Sequence, residues 1–209
     1  MARAASTPRR RTQQERTAES TQRLITAAIE LIAEKGFART STAEISERAG
    51  YSRSMVQFRY GTKEALLETL LRDEYETRLL LDTAQGATGL ERILRQVDRL
   101  HDEALDNPEL MRGFFALCFE SFGPVQSLSD WINDWLARYD EVTSEALQAG
   151  VADGSIRADI DPRAEAAAFV ASGLGYAFRW MVSPDTVDYL ALMRQWKEHV
   201  RRHLTAVRH

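Results

Sequence analysis

The sequence holds a single cysteine, Cys118, among 209 residues, so no internal disulfide can form. Cys118 lies in the apolar run Phe114 to Phe119, where its expected role is that of a small buried hydrophobe. Long apolar stretches are missing as well. The longest uncharged run near the C-terminus, Ala166 to Phe178, is too short to span a bilayer. The first eighteen residues hold five arginines and no apolar segment, which argues against a secretory signal and for a cytoplasmic location. No β-alternation of useful length occurs, and no repeat at a fixed period. With 44% apolar and 28% charged residues, the chain has the composition of an ordinary soluble globular protein, with one sizeable core or two small ones.

What is present is an uneven distribution of charge. Residues 1 to 63 carry 12 Lys and Arg against 6 Asp and Glu, a net of +6, whereas residues 64 to 209 carry a net of −10. A basic surface confined to the N-terminal third suits a polyanionic partner.

Apolar positions recur at helical spacing nearly throughout, and they predict an all-α fold of about nine helices. Residues 1–18, with Arg9-Arg10-Arg11, have no apolar period and read as a flexible basic arm. From Glu19 to Lys35 the stripe Leu24, Ile25, Ala28, Leu31 and Ile32 predicts the first helix, which Gly36 ends. Ser41 followed by Glu44 has the spacing of a capping box and opens a short helix over 42–49. Beyond Gly50, Ser52 is placed to cap another short helix over 53–59, and Thr62 caps a long one over 63–82. Further helices are predicted over 89–106, 108–122, 126–152, 162–182 and from Pro184 to about 206. The division that follows is an arm over 1–18, a helix-turn-helix domain over 19–65, and a helical ligand-binding and dimerisation domain over 66–209.

Two short helices joined across a glycine turn have the spacing of a helix-turn-helix, whose second helix lies in the major groove of DNA. Its outward residues must then hydrogen-bond to bases or phosphates, and Arg53, Ser54, Gln57 and Arg59 qualify. Ile45, Ala49, Met55, Val56 and Phe58 or Tyr60 are apolar enough to hold the pair against the first helix. The competing reading is a helical hairpin whose polar face simply meets water. The local positive charge weighs against it.

The run from Ile25 to Leu67 resembles the DNA-binding domain of TetR-family transcriptional regulators. Ala27-Ala28, Leu31, Gly36, Thr40-Ser41, Ile45, Ala49-Gly50, Ser52, Arg53, Val56, Tyr60, Lys63-Glu64 and Leu66 all stand at the offsets of that family's pattern. Gln57, Arg59 and Tyr60 depart from it, replacing the tyrosine, histidine and phenylalanine most often found there. Gln57 and Arg59 can still donate hydrogen bonds, and Gln57 can read adenine through its amide. The resemblance implies that Lys63 sits beside a phosphate and that Thr40 and Ser41 are phosphate contacts, although both also suit a purely capping role. The candidate DNA-binding set is therefore Thr40, Ser41, Ser52, Arg53, Ser54, Gln57, Phe58, Arg59, Tyr60 and Lys63.

A single reading helix contacts few base pairs, so specific binders of this kind pair as two-fold dimers on palindromic double-stranded DNA. The resemblance implies a homodimer through the last two helices, with Ala166, Val170, Gly173 and Ala177 on one and Tyr189, Met193, Trp196 and Val200 on the other. These same faces would serve equally as the subunit's own core. It also implies a cavity for a small effector in the C-terminal part, and the dense aromatics there suit a planar or lipophilic molecule. Candidate lining residues are His101, Met111, Phe115, Phe119, Trp131, Trp135, Tyr139 and Phe178, with Arg112 and Glu120 as further polar contacts if their faces turn inward. An effector that favours one arrangement of the reading heads would release the DNA, making the protein a repressor.

No catalytic constellation survives inspection. Gly50-x-Ser52-x-Ser54 lacks the last glycine and the preceding strand of a nucleophile elbow. His199 and His203 lie one helical turn apart without a neighbouring third ligand, and Gly173-x-Gly175 is no dinucleotide fingerprint. Neither a cofactor nor a metal is expected. The remaining alternative is a helical protein-interaction adaptor without DNA binding.

Overall fold

Capping side chains decide where most of the helices begin. Thr12 accepts from the Glu15 N–H (3.1 Å) while Glu15 accepts from the Thr12 N–H (2.7 Å), so α1 (Gln13–Lys35) starts at Gln13 rather than Glu19. The computed structural model describes residues 12–80 and 86–205. Residues 13–18 of the expected arm are thus helical, and Arg9-Arg10-Arg11 lie outside the described residues. The Ser41–Glu44 box starts α2 (Thr42–Arg48) where its spacing predicts.

Ser52 does not cap the next helix. Its carbonyl takes the Met55 N–H in a turn (2.9 Å), and α3 (Met55–Tyr60) follows Ser54 without a side-chain cap. Had the helix begun at Ser52, the Val56 N–H would have turned back to the Ser52 carbonyl. It goes instead to the buried hydroxyl of Ser46 on α2 (3.0 Å), which delays the helix and staples it to its neighbour. Gly50, at φ 81°, makes the turn between them in a conformation that side-chain-bearing residues avoid.

Thr62 caps α4 (Lys63–Leu70), whose axis continues through a π-helical stretch (Leu71–Glu76) into a last turn (Thr77–Leu79). The rest of the chain forms α5 (Gly89–Asp106), α6 (Pro108–Glu120), α7 (Gln126–Asp153), α8 (Pro162–Val182) and α9 (Tyr189–Leu204). α9 starts later than Pro184 because the Asp188 carboxylate accepts from the Ala191 N–H (2.8 Å), while residues 184–187 turn on the Ser183 carbonyl. Among the described residues the fold is all-α, with nine helices when the α4 pieces are counted as one.

α1 carries its apolar stripe into α6, and α5 packs against both α7 and α9, with α8 laid along α7. Where α1, α4 and α6 meet, Gly113 leaves no room for a side chain: a Cβ there would stand 2.9 Å from the Tyr75 hydroxyl and 3.4 Å from the Ile29 carbonyl. Tyr75 is fully buried, and its hydroxyl donates to the Leu110 carbonyl (3.2 Å). Glu120, at the end of α6, accepts from the Ala38 N–H (3.0 Å) in the turn before α2. The N-terminal helices are in this way tied to the body at both ends of α6. Cys118 is buried beside this junction's helix, and desolvation pushes its thiol up to about 12, leaving it protonated and inert.

The faces expected to meet a second subunit belong to the subunit's own core. Ala166, Ala177, Tyr189, Met193, Trp196 and Val200 are buried, and Val170 and Gly173 are half-buried. Trp196 lies 4.6 Å from Phe169, and Tyr189 stacks on Trp180 at 4.6 Å, centroid to centroid. The bulky side of α9 needs this internal cover because it faces α5 as well as α8.

Candidate nucleic-acid interface and aromatic centre

Val56 is fully buried and anchors α3, so the residues on the opposite side of the helix must face away from the core. Ser52, Arg53, Ser54, Gln57 and Phe58 are all exposed there. They form one continuous outward surface. The Arg53 guanidinium rests 3.1 Å from the Glu47 carboxylate of α2, and both side chains are more than half exposed, so the pair holds Arg53 only weakly.

Three of the expected contacts point elsewhere. Thr40 is buried, and its hydroxyl donates to the Gly36 carbonyl (2.8 Å). The Arg59 guanidinium donates back to α1, to the Ser20 hydroxyl (2.6 Å) and the Thr17 carbonyl (3.3 Å). The Lys63 ammonium donates to the Phe37 and Thr40 carbonyls (2.9 Å each) and lies 4.2 Å from the centre of the Phe37 ring. Lys63 closes the end of the α1–α2 turn, and Arg59 clamps α3 onto α1. Tyr60 is half-buried with its hydroxyl hidden from water, and Ser41 is exposed but engaged in its capping box.

Much of the positive charge in this region is spent internally. Lys35 pairs with Glu44 (2.5 Å), and Arg48 with Glu34 (2.7 Å) and Glu30 (3.3 Å), tying α1 to α2. Hydrogen bonds from Lys35, and then from the Ser41 hydroxyl and N–H, hold the Glu44 carboxyl down at about 2, so the capping box stays charged at neutral pH. Arg39, just before α2, keeps an exposed side chain whose Nε donates to the Lys35 carbonyl. Ser46 and Arg39 are the residues that sequence reasoning missed. Ser46 is detectable as a polar residue beside Ile45 on the buried side of α2, whereas nothing local marks Arg39.

The expected effector residues divide. Phe115, Trp135 and Tyr139 line a narrow slot with Phe114, Phe169 and Trp196, and the slot holds only about 30 Å³, room for roughly one water. Phe169 and Trp196 also wall a larger cleft of about 260 Å³ between α5, α7, α8 and α9. Met111 is fully buried outside the slot's lining. Trp131 is half-buried and donates to Glu76 (3.2 Å). Phe119 meets Phe178 at 5.6 Å, and Phe178 is 54% exposed. His101 bonds to Asp102 (2.9 Å) at the surface and faces Arg194, while Arg112 covers the Trp180 ring.

Sequence reasoning did not single out the polar groups of this centre. Gln96, Trp135 Nε1, the Thr143 hydroxyl and the Tyr189 hydroxyl are buried without a hydrogen-bond partner among the described residues. Gln96 lies beside Tyr139, whose own hydroxyl, like that of Tyr189, is kept protonated by burial. On α5, Gln96 interrupts the stripe of Ile93, Leu94, Val97 and Leu100, which is the signal that was available. Among the described residues no group of three or more metal-ligating side chains comes together, and His203 bonds to Glu165 (3.1 Å).

Residues 24–70 match the family model for bacterial regulatory proteins of the tetR family. The HTH-type transcriptional regulator TtgR of Pseudomonas putida is 25% identical over 208 residues, with 90% of this chain and 91% of that protein covered. In fold, the chain is similar to a transcriptional regulator of Saccharomonospora viridis in complex with choline (TM-score 0.76, 20% identity, 91% of this chain and 100% of that one). It is likewise similar to the regulator FadR of Bacillus subtilis in complex with stearoyl-CoA (TM-score 0.72, 20% identity, 87% and 98%).

The geometry separates two kinds of variant. Lys63→Ala removes the donor from two loop carbonyls and lowers unfolding stability by about 1–3 kcal/mol along with any DNA affinity. Gln57→Ala lowers affinity while the melting temperature stays put. Thermal unfolding and DNA titration of both variants check this; equal stability losses would contradict it.

Proposed function

The chain belongs to the TetR family of bacterial regulatory proteins and is a DNA-binding transcriptional regulator; from that premise we propose a cytoplasmic homodimeric repressor, released from a palindromic operator by a small effector. The observation that carries the DNA reading is the outward set of Ser52, Arg53 and Ser54, just before α3, with Gln57 and Phe58 on α3, a helix that Val56 and Ser46 hold from behind. Two such sets about 34–36 Å apart meet successive turns of one face of a duplex. No helix among the described residues is long and apolar enough to cross a membrane.

A different stripe of α8 supports the dimer. Ala164, Ala168, Ala171, Gly175, Phe178 and Val182 are all exposed and recur at alternating spacings of four and three. That is the seam of a helix that packs against a second helix. Phe178 and Val182 are 54% and 64% exposed, an apolar end that a partner copy would cover. The outer face of α9 is by contrast polar, with Arg194, Gln195, Glu198, Arg201 and Arg202.

The aromatic centre supports an uncharged effector, planar and bearing hydroxyl or carbonyl groups. Each unpartnered polar group buried there costs about 1–3 kcal/mol, which a ligand that bonds to it would recover. Phe169 and Trp196 separate slot from cleft, so a shift of the Trp196 indole would join the two spaces. The coupling runs through α4, whose π-helical stretch follows the segment next to the reading head and itself carries the anchored Tyr75; such stretches are frequent at functional sites.

Mobility-shift titration against genomic fragments tests the function. Retention is expected to fall steeply between about 50 and 200 mM salt, as displacement of counterions from phosphates requires. Phe178→Glu is expected to sediment as a monomer and to bind fragments far more weakly, whereas a dimeric Phe178→Glu protein would contradict the assigned seam. For the effector site, Gln96→Leu is expected to raise stability by about 1 kcal/mol, since an orphaned amide is replaced by an apolar group. The same variant should lose any stabilisation that the parent gains from a neutral phenol such as 2-naphthol. A destabilised Gln96→Leu would contradict the reading of Gln96.

A further inference from the structure

Phe58 stands on the outward face of α3 with 88% of its surface in water. Val56, two residues before it, is fully buried, and two residues advance a helix by about 200°, so the Phe58 ring points almost directly away from the core. Ser54, one turn earlier, shares its stripe, and Gln57 flanks it. Phe122 is similarly exposed, but it lies in the turn after α6, outside the helix-turn-helix.

A phenylalanine held in water stabilises nothing in the free protein; its apolar surface is removed from water only when something covers it. The neighbours of Phe58 indicate what does. Ser54, Gln57 and Arg53 are short or forked hydrogen-bonding groups suited to base edges and phosphates, and Phe58 sits among them on the outward side of the helix-turn-helix. Most of what a major groove offers at its floor is polar: acceptors on guanine, donors on cytosine, both on adenine. A ring pressed onto those edges would strip their water and return no hydrogen bond. One group on the floor is apolar, the 5-methyl of thymine, and contact with it removes apolar surface from both partners.

We propose that Phe58 reads a thymine through its 5-methyl group, fixing a T·A pair at one position of each operator half-site. The inference rests on the DNA-binding reading of α3 and adds a rule for the sequence it recognises. Gln57, beside Phe58, is placed to take an adenine at a neighbouring step. Phe58 is a specificity residue here, and its removal relaxes sequence choice rather than abolishing attraction to DNA.

The test begins with the full chain and a random-sequence duplex library, from which the preferred half-site is selected. Each thymine of that site is then replaced, in both half-sites, by deoxyuridine, which differs only in lacking the methyl group. At one position the parent is expected to lose affinity by on the order of 10-fold, since each buried methyl contributes roughly fourfold. Phe58→Ala is expected to bind the thymine and uracil duplexes equally and to lose preference at that position when selection is repeated, with an unchanged melting temperature. Deoxyuridine tolerated at every position overturns the proposal, as does a Phe58→Ala protein that keeps the same uracil penalty. A library from which no duplex is enriched removes the DNA-binding reading itself, and the thymine rule with it.

Discussion

The close approach of α1, α4 and α6 around Gly113 is the constraint on which the rest of the molecule depends. A glycine there lets the Tyr75 hydroxyl reach the Leu110 carbonyl while the Ile29 backbone passes at the same point. Three helices thereby share one contact with no side chain to absorb movement. α4 begins at the reading head, where Thr62 and Lys63 lie beside the turn after α3, and ends in the body at Tyr75 and Leu79, both buried. Any displacement of α6 is therefore passed along α4 or concentrated in its π-helical stretch. Packed interiors respond to such pushes by switching between arrangements rather than by yielding smoothly.

The basic character of the N-terminal third has two uses, and the structure separates them. Lys35, Arg48, Arg59 and Lys63 bind the helices of the head to one another, through carboxylates, a hydroxyl and backbone carbonyls. Arg53 and Arg39 remain exposed toward solvent. With those cations turned inward, the exposed residues on and just before α3 are largely neutral: Ser52, Ser54, Gln57 and Phe58. As the proposed recognition face, they would choose a site by shape and hydrogen bonding more than by charge. Phosphate attraction positions a protein on DNA, and base contacts select the sequence.

Most of the fold was legible because helix starts are local events. The Ser41–Glu44 spacing and Thr62 each placed a helix correctly, since a capping bond spans only three or four residues. Where the sequence misled, a longer-range competitor had intervened. Ser52 lost its capping role because Ser46, from another helix, captured the Val56 N–H. Arg59 and Lys63 have the residue types of phosphate contacts, but α1 and the turn after it supply nearer acceptors that no local pattern reveals. α8 misled for another reason. It is apolar on two sides, and periodicity alone does not tell which side faces its own chain. The buried Ala166 and Ala177 and the exposed Ala168 and Ala171 look alike in sequence. Gln96 and Thr143 escaped because a polar residue within an apolar stripe is conspicuous only once its burial is known.

The contact at Gly113 holds the head to the body as one unit. Cys118 is buried, so a thiol introduced at exposed Ser54 can be spin-labelled alone. In the proposed dimer the distance between the two labels then reports directly on the separation of the reading helices. One narrow distribution near one turn of DNA, about 34–36 Å, is expected. Gly113→Ala, whose methyl group must push the Tyr75 hydroxyl aside, is expected to shift or broaden that distribution. A broad distribution in the parent, or an identical one in Gly113→Ala, would contradict the hold at Gly113.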